Sequence, residues 1–403
     1  HKYFKECCGL NMDKIERSAG MNKKLILLTG LILRELLSFW TANPYDFEIW
    51  VRLGQHVAGG GNPYTYLYYI EGLSFAPYET LASIGYPPLW ALFCGSSYVI
   101  YQIVCSLTPF RSPLIYYFLL KQPIIFGDML NGIIILKIVE QKESQLKILK
   151  FWMLNPLTII LSSVWGIFDS LIVALSLLSI KYLVLDRRDS VSGILLGVAT
   201  SLKIVPLIFA PINIKFARRK SHFIISYVLS VVVTSILPFL VFNWDLTGFF
   251  HAMESQAINI RAQPAVGGMT IFSFLEPVFY TTSYELVNSV SVLLGFLWIP
   301  VFLIFYGILY FKPAENGLYN MVRWYVIASL IFLLTRVFVA EQYVLYVAGF
   351  MVIDIAVFHG ERRDLLRGIC MLSLIYLVLN NTLLVRFLSP VTPWAFSWDI
   401  YFN

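Results

Sequence analysis

Asp46 and Glu48 stand two residues apart in TANPYDFEIW (41–50), directly after an apolar run, in a chain only 13% of whose residues are charged. A carboxylate at such a boundary can take the proton of an attacking hydroxyl, and a cation opposite it can receive the charge of a departing anion. The cations placed for that task are Lys121 in LLKQP, Lys203 in SLKIVP, Arg261 and Arg336. Asp128 in IIFGDML, Trp165 and Asp169 in SSVWGIFDS, and Glu341 and Gln342 in AEQYVLY complete the polar residues that an apolar chain least accommodates. An ionisable group at membrane depth is costly, which makes each a candidate for function. Each also has a plainer reading. Asp46 could cap a helix beginning at Phe47, and Asp169 the helix that follows it. Asp128 could pair with Lys121, the cations could reach out to lipid headgroups, and Glu341 and Gln342 could simply be polar residues at an interface. If YDFEIW opens a helix, a spacing of two turns Asp46 and Glu48 about 200° apart, so only one of them faces a given cleft.

The elements that must position these residues follow from composition. The 403 residues are 58% hydrophobic and 16% aromatic, with 24 Tyr and 10 Trp, and this is a membrane protein's makeup. The net charge of +6 sits in short Lys/Arg clusters between apolar runs rather than along one face, which argues for membrane topology and against nucleic-acid binding. Cys7, Cys8, Cys94, Cys105 and Cys370 are odd in number and scattered, so neither a disulfide framework nor a zinc site is indicated. The His residues lack metal-ligand spacing, and GGGNPY lacks the strand and helix that a phosphate-cradling loop requires. Asn380-Asn381-Thr382 matches a glycosylation sequon but lies in an apolar run, where a helix–helix polar contact is the better reading.

A full crossing takes roughly 20 apolar residues. The first span is expected at 24–40, with Lys14, Arg17, Lys23 and Lys24 before it placing the amino terminus in the cytoplasm. A long, Tyr-rich external loop follows over 41–86, and a second span at 88–106 returns to Arg111. Basic clusters at 137–150, 187–188 and 215–220 then all fall on the inner side. The apolar stretches 113–137, 151–185 and 190–213 between them are too short for two crossings each. They are predicted to be short hairpins, broken at LLKQPIIFGD, SSVWGIFDS and SLKIVPLIF, whose freed backbone groups need a protein-lined or wet surrounding. Ordinary spans follow, for an all-α polytopic protein of about 11–13 transmembrane or half-membrane helices with a long first external loop.

DFEIWVRLG…GNPY…YPPLWAL, NPLTIILSSVWGIFDSL and SGILLGVATSLKIVPLIFAPI, in that order and spacing, resemble the GT-C superfamily of integral-membrane glycosyltransferases. The chain is most similar to the polyprenol-phosphate-mannose-dependent mannosyltransferases, strongly over 24–213 and loosely beyond. The resemblance implies a lipid-linked sugar donor, a catalytic carboxylate in the first external loop and inversion at the anomeric carbon. Asp46 matches the catalytic position, Asp169 and Lys203 fall in matching motifs, and Glu341 and Gln342 look like a late family motif. It also implies that no cofactor is required, a divalent metal being unsupported. Inverting transfer needs one base, since phosphate departs without a general acid.

The expected organisation is a cytoplasmic extension (1–23), a catalytic module (24–213) holding the external loop, and a carboxyl-terminal transmembrane module (214–403). The expected partners are a polyprenyl-phosphate sugar, a lipid or glycan acceptor and membrane lipids, with the active site on the extracytoplasmic side. The alternatives are a secondary transporter or lipid flippase, which also carry broken helices but usually show an internal repeat not found here, and a noncatalytic subunit that keeps the fold.

Overall fold

The first helix, α1 (22–38), ends at a turn that its own side chains build. Thr41 Oγ1 donates to the Leu37 carbonyl at 2.6 Å, and Asn43 Oδ1 accepts from the N–H groups of Tyr45 and Asp46 at 2.9 and 2.8 Å. Asn43 thereby caps α2 (Asp46–Ala58), which has no other side-chain cap. The structure is a computed structural model and describes residues 22–139, 142–258, 267–270, 272, 293–313 and 317–392. Arg261, Cys7, Cys8 and the extension before residue 22 lie outside the described residues.

From α2 the chain passes through a two-stranded ribbon, β1 (Leu67–Tyr68) antiparallel to β2 (Thr80–Leu81), into α3 (Pro88–Leu107). Gly54 lets α2 and α3 cross closely, for a Cβ there would stand 1.9 Å from Tyr116 Oη and 2.6 Å from the Cys94 carbonyl. Trp50, Trp90 and Phe168 stack where the two helices meet, with Trp90 and Phe168 centroids 4.2 Å apart. Such aromatic pairs add about 0.5–1.5 kcal/mol each beyond their burial.

Helix α4 (Pro113–Ile138) starts with Ser112 Oγ accepting from Leu114 N–H and Pro113 in the first turn. It runs antiparallel to α1: Lys121 meets the carbonyls of Ser38 and Thr41, Asp128 meets Arg34, and Gln145 just beyond its end meets Lys23. The chain then returns as α5 (Lys142–Met153) and α6 (Pro156–Ile159), the latter continuing as a π-helix over Ile160–Trp165. Gly166 stops it at φ 82°, where a Cβ would fall 2.9 Å from Lys121 Cε and 3.0 Å from the Phe47 ring. Then α7 (Asp169–Val184) descends, α8 (Asp189–Leu202) rises, and a 3₁₀ turn (Val205–Phe209) with α9 (Ala210–Phe216) descends again. Ser179, Ser192, Asn213 and Tyr325 tie these arms together by buried hydrogen bonds of 2.5–2.8 Å.

The second half holds α10 (Lys220–Val231), which continues through a π turn (Val232–Ile236) into α11 (Leu237–Phe242), followed by α12 (Leu246–Ile258). After it come α13 (Trp298–Phe311), α14 (Gly317–Thr335), a 3₁₀ turn (Glu341–Tyr343), α15 (Val344–Val357), α16 (Arg363–Asn380) and a last 3₁₀ segment (Thr382–Leu388). The all-α, polytopic expectation is borne out: among the described residues five helices are long and apolar enough to cross a membrane, or up to seven if each of two bent pairs is one span.

One expectation of topology is corrected. Residues 113–138 form one unbroken 26-residue helix through Pro123, not a hairpin. The polar residues that suggested a break are satisfied by neighbouring elements, so no wet tip is required. Helix α3, expected as the second span, has the length and apolarity of one; Trp90 packs on Trp50, and Tyr98 and Tyr101 pack on Tyr116. The breaks expected at SSVWGIFDS and SLKIVPLIF are both present.

Candidate active site

The two helix breaks converge. Asp169, first residue of α7, and Lys203, just past the end of α8, form an ion pair in which Nζ lies 3.0 Å from each carboxylate oxygen. Asp169 is fully buried and Lys203 is 2% exposed. Aromatic rings surround the ammonium, with Tyr343 at 4.3 Å, Tyr86 at 5.5 Å and Phe168 at 5.8 Å from their centroids. Both Asp169 carboxylate oxygens accept from the Lys203 ammonium.

Asp46 lies next to this pair. It is half-buried at the start of α2, and Trp165 Nε1 donates to its Oδ2 at 3.1 Å. Because Asn43 caps α2, the Asp46 carboxylate is left for other contacts. Burial pushes its carboxyl above the usual range; the Trp165 N–H, Lys203 and Arg386 pull it back, and Glu341 pushes it further up. Those interactions place Lys203, Arg386 and Glu341 within electrostatic reach of the one carboxylate. Replacing Trp165 with Phe removes the largest of the lowering influences. The acidic limb of the pH–rate profile is then expected to move to higher pH, with activity lost first on the acid side and the plateau above the limb unchanged. An unmoved limb would separate Trp165 from the titration of Asp46.

Arg386 was not singled out in the sequence. It belongs to the last 3₁₀ segment, brought to Asp46 because Ala42 N–H donates to the Phe387 carbonyl at 2.8 Å and Phe387 packs on Trp165 at 5.6 Å. Glu341, 4% exposed, accepts from Asn380 Nδ2 at 2.6 Å and from Asn381 Nδ2 at 3.5 Å. The asparagine pair thus makes a polar contact with the Glu341 turn. Gln342 is 6% exposed, and its Oε1 is buried without a hydrogen bond among the described residues. Arg336, half-buried after α14, lies within electrostatic reach of Tyr343, and its carbonyl accepts from Thr270 Oγ1 at 2.8 Å.

Three expected site residues are engaged by other partners. Glu48 is fully buried on the opposite face of α2 from Asp46, with Oε1 2.6 Å from Arg52 Nε and Oε2 accepting from Phe75 N–H at 3.2 Å. Arg52 in turn donates to the Ala76 and Tyr78 carbonyls at 3.2 and 2.9 Å. The pair fastens the loop before β2 onto α2, a structural task in place of the substrate contact expected. Lys121 is fully buried and donates to the carbonyls of Ser38 at 3.2 Å, Ser163 at 2.7 Å and Thr41. It clamps the end of α1 to the π-helix, and its donors are spent on carbonyls rather than a phosphate. Asp128 does not pair with Lys121. Arg34 holds it at 2.7 Å, Trp152 Nε1 donates to it at 3.0 Å, and Arg34 further binds the Gly30 and Met153 carbonyls. Seven residues of helix put Lys121 and Asp128 about 10 Å apart, beyond pairing distance.

Residues 133–333 match the family model of glycosyltransferase family 87. Over those residues, about half of its length, the chain is similar to that glycosyltransferase family. It is 25% identical over 170 residues to GPI mannosyltransferase 1 of Candida albicans, covering 36% of this chain and 42% of that protein. It is 33% identical over 100 residues to GPI mannosyltransferase 1 of Debaryomyces hansenii, covering 23% and 24%. The chain thus spans less than half the length of these curated relatives. The GT-C-like glycosyltransferase resemblance read from the sequence agrees with these matches. The family-87 match includes Trp165, Asp169 and Lys203 and begins after Asp46.

Proposed function

We propose that this chain is an inverting glycosyltransferase that moves a monosaccharide, mannose by its relatives' names, from a polyprenyl-phosphate donor to a hydroxyl of a lipid or glycan acceptor. The carrying observation is the Asp46 carboxylate, held by Trp165 and not used as a cap, within electrostatic reach of Lys203 and Arg386. In the proposed step Asp46 takes the acceptor hydroxyl's proton as the new bond forms from that oxygen to the anomeric carbon. The bond from that carbon to the phosphate oxygen breaks with its electron pair, and polyprenyl phosphate leaves. Lys203 and Arg386 meet the charge developing there. Lys203 binds as a point charge, steadied by Asp169, while Arg386 offers a planar fork. The buried Gln342 Oε1 would accept from an acceptor hydroxyl beside Glu341.

A lipid donor is supported by an apolar groove of about 450 Å³ that begins at Leu207, one helical turn past Lys203, and is walled by α9, α10 and α13 through Pro211, Tyr227 and Phe302. A headgroup at Lys203 would leave its tail along that groove. An extracytoplasmic site is supported by charge: Lys23, Lys150, Arg187, Lys215, Lys312 and Arg363 all belong to helix ends remote from Asp46. No cofactor is called for, and Arg261 and Arg336 remain candidates for contacts farther along the donor or acceptor.

The test is transfer by membranes containing the full chain from radiolabelled polyprenyl-phosphate mannose, polyprenyl-phosphate glucose and a nucleotide-activated mannose. Transfer from the first with an inverted product linkage is expected. Transfer from the nucleotide sugar after removal of all polyprenyl phosphates, or retention of configuration, would refute the reading.

A further inference from the structure

At the end of the bundle remote from Asp46, a second cleft of about 400 Å³ opens between α5, the end of α15 and the start of α16. Helix α15 begins beside the Glu341 turn, and about 12 Å of helix separates its first residue from Val352, where it first lines this cleft. Lys147, Lys150, Arg363 and Arg367 line it, and among the described residues no carboxylate does. The acids nearby are already engaged: Asp354 with Arg362 at 3.2 Å, Glu361 with His359 at 2.7 Å and Asp364 with Arg367 at 3.0 Å. Gly360, in the 3₁₀ turn that leads into α16, also lines the cleft, so the positive end of that helix adds to the field. The remaining wall is apolar, formed by Phe151, Val352, Ile355 and Leu366.

The geometry points to a binding site for the phosphate of an anionic membrane lipid. Cations gathered by topology alone would spread over the surface; here they rim one concavity whose other wall is apolar. A free phosphate has no use for that wall, whereas a lipid sets its headgroup among Lys147, Lys150 and Arg363 and its acyl chains against Phe151 and Leu366. The site is separate from the proposed transfer centre and does not depend on it.

The test uses the full chain in phosphatidylcholine nanodiscs with and without phosphatidic acid, reading retained lipid by native mass spectrometry and Tm by intrinsic fluorescence. Phosphatidic acid is expected to be retained and to raise Tm. The double variant Lys147→Gln with Arg363→Gln should weaken its retention roughly tenfold or more, since each surface cation near a membrane is worth about 1 kcal/mol. The charge-matched variant Arg218→Gln with Lys220→Gln should not. Equal losses in the two variants would reduce the effect to general surface charge and overturn the site. Inorganic phosphate raising Tm as much as phosphatidic acid would overturn its assignment to a lipid.

Discussion

Asp46→Asn is expected to lower transfer by about 10²–10⁴-fold, the usual contribution of a positioned general base, while leaving the fold as stable as before or more so. The second half of that expectation follows from sign. Burial raises the Asp46 pKa in the folded chain above its unfolded value. The folded state therefore holds the proton more tightly, and the associated stability is fully present below the unfolded pKa and lost as pH rises through the folded one. At neutral pH the ionised carboxylate is a cost to the fold that asparagine removes, and asparagine's oxygen still accepts from Trp165 Nε1. Stability sacrificed at one side chain is a mark of a functional group. The measurement is initial rate with polyprenyl-phosphate mannose beside Tm in detergent. A variant that transfers at the wild-type rate would remove Asp46 from the base role, and one that loses activity together with Tm would make it structural.

Local rules reached Asp46 because its signal is local: an acid directly after an apolar run, at the position where a helix begins. They reached the breaks at 166 and 203 for the same reason, since Gly166 and Pro206 interrupt apolar stretches too short to be two crossings. What joins those breaks is not local. Nothing between Asp169 and Lys203 in sequence announces that two hairpin tips meet; the ion pair follows from the packing of α7 against α8. Arg386 was missed on the same ground: it sits in a short apolar segment beyond Asn381, and a single backbone hydrogen bond from Ala42 to Phe387 brings it to the site. The overextended readings share a different cause. Lys121, Glu48 and Asp128 were candidates because a charge in an apolar chain needs a reason, and each has one in a partner that spacing could not reveal: three carbonyls, Arg52 and Arg34.

The Asp169–Lys203 pair calls for an experiment that separates holding the fold from meeting a phosphate. Removing either partner alone leaves a buried charge without its counterion, which typically costs about 3–5 kcal/mol, so Asp169→Asn and Lys203→Met are each expected to lower Tm strongly and to abolish transfer. Neither single variant is informative about chemistry. The double variant is: with both charges gone, the site inside its ring of Tyr86, Phe168 and Tyr343 holds a methionine side chain well, and much of the lost stability should return, as it does when buried pairs are replaced together. If the pair only braces two hairpin tips, transfer returns with Tm. If Lys203 carries charge toward the departing phosphate, the double variant regains its Tm but transfers at least about 10²-fold more slowly, the loss expected when one electrostatic contact to a developing anion is removed. Arg386→Gln offers the second arm, because its carbon skeleton keeps the last 3₁₀ segment filled while the charge near Asp46 is lost. A combined loss in Arg386→Gln smaller than that of the Lys203 double variant would assign the larger share of phosphate stabilisation to the hairpin tip, and the reverse to the carboxyl-terminal segment.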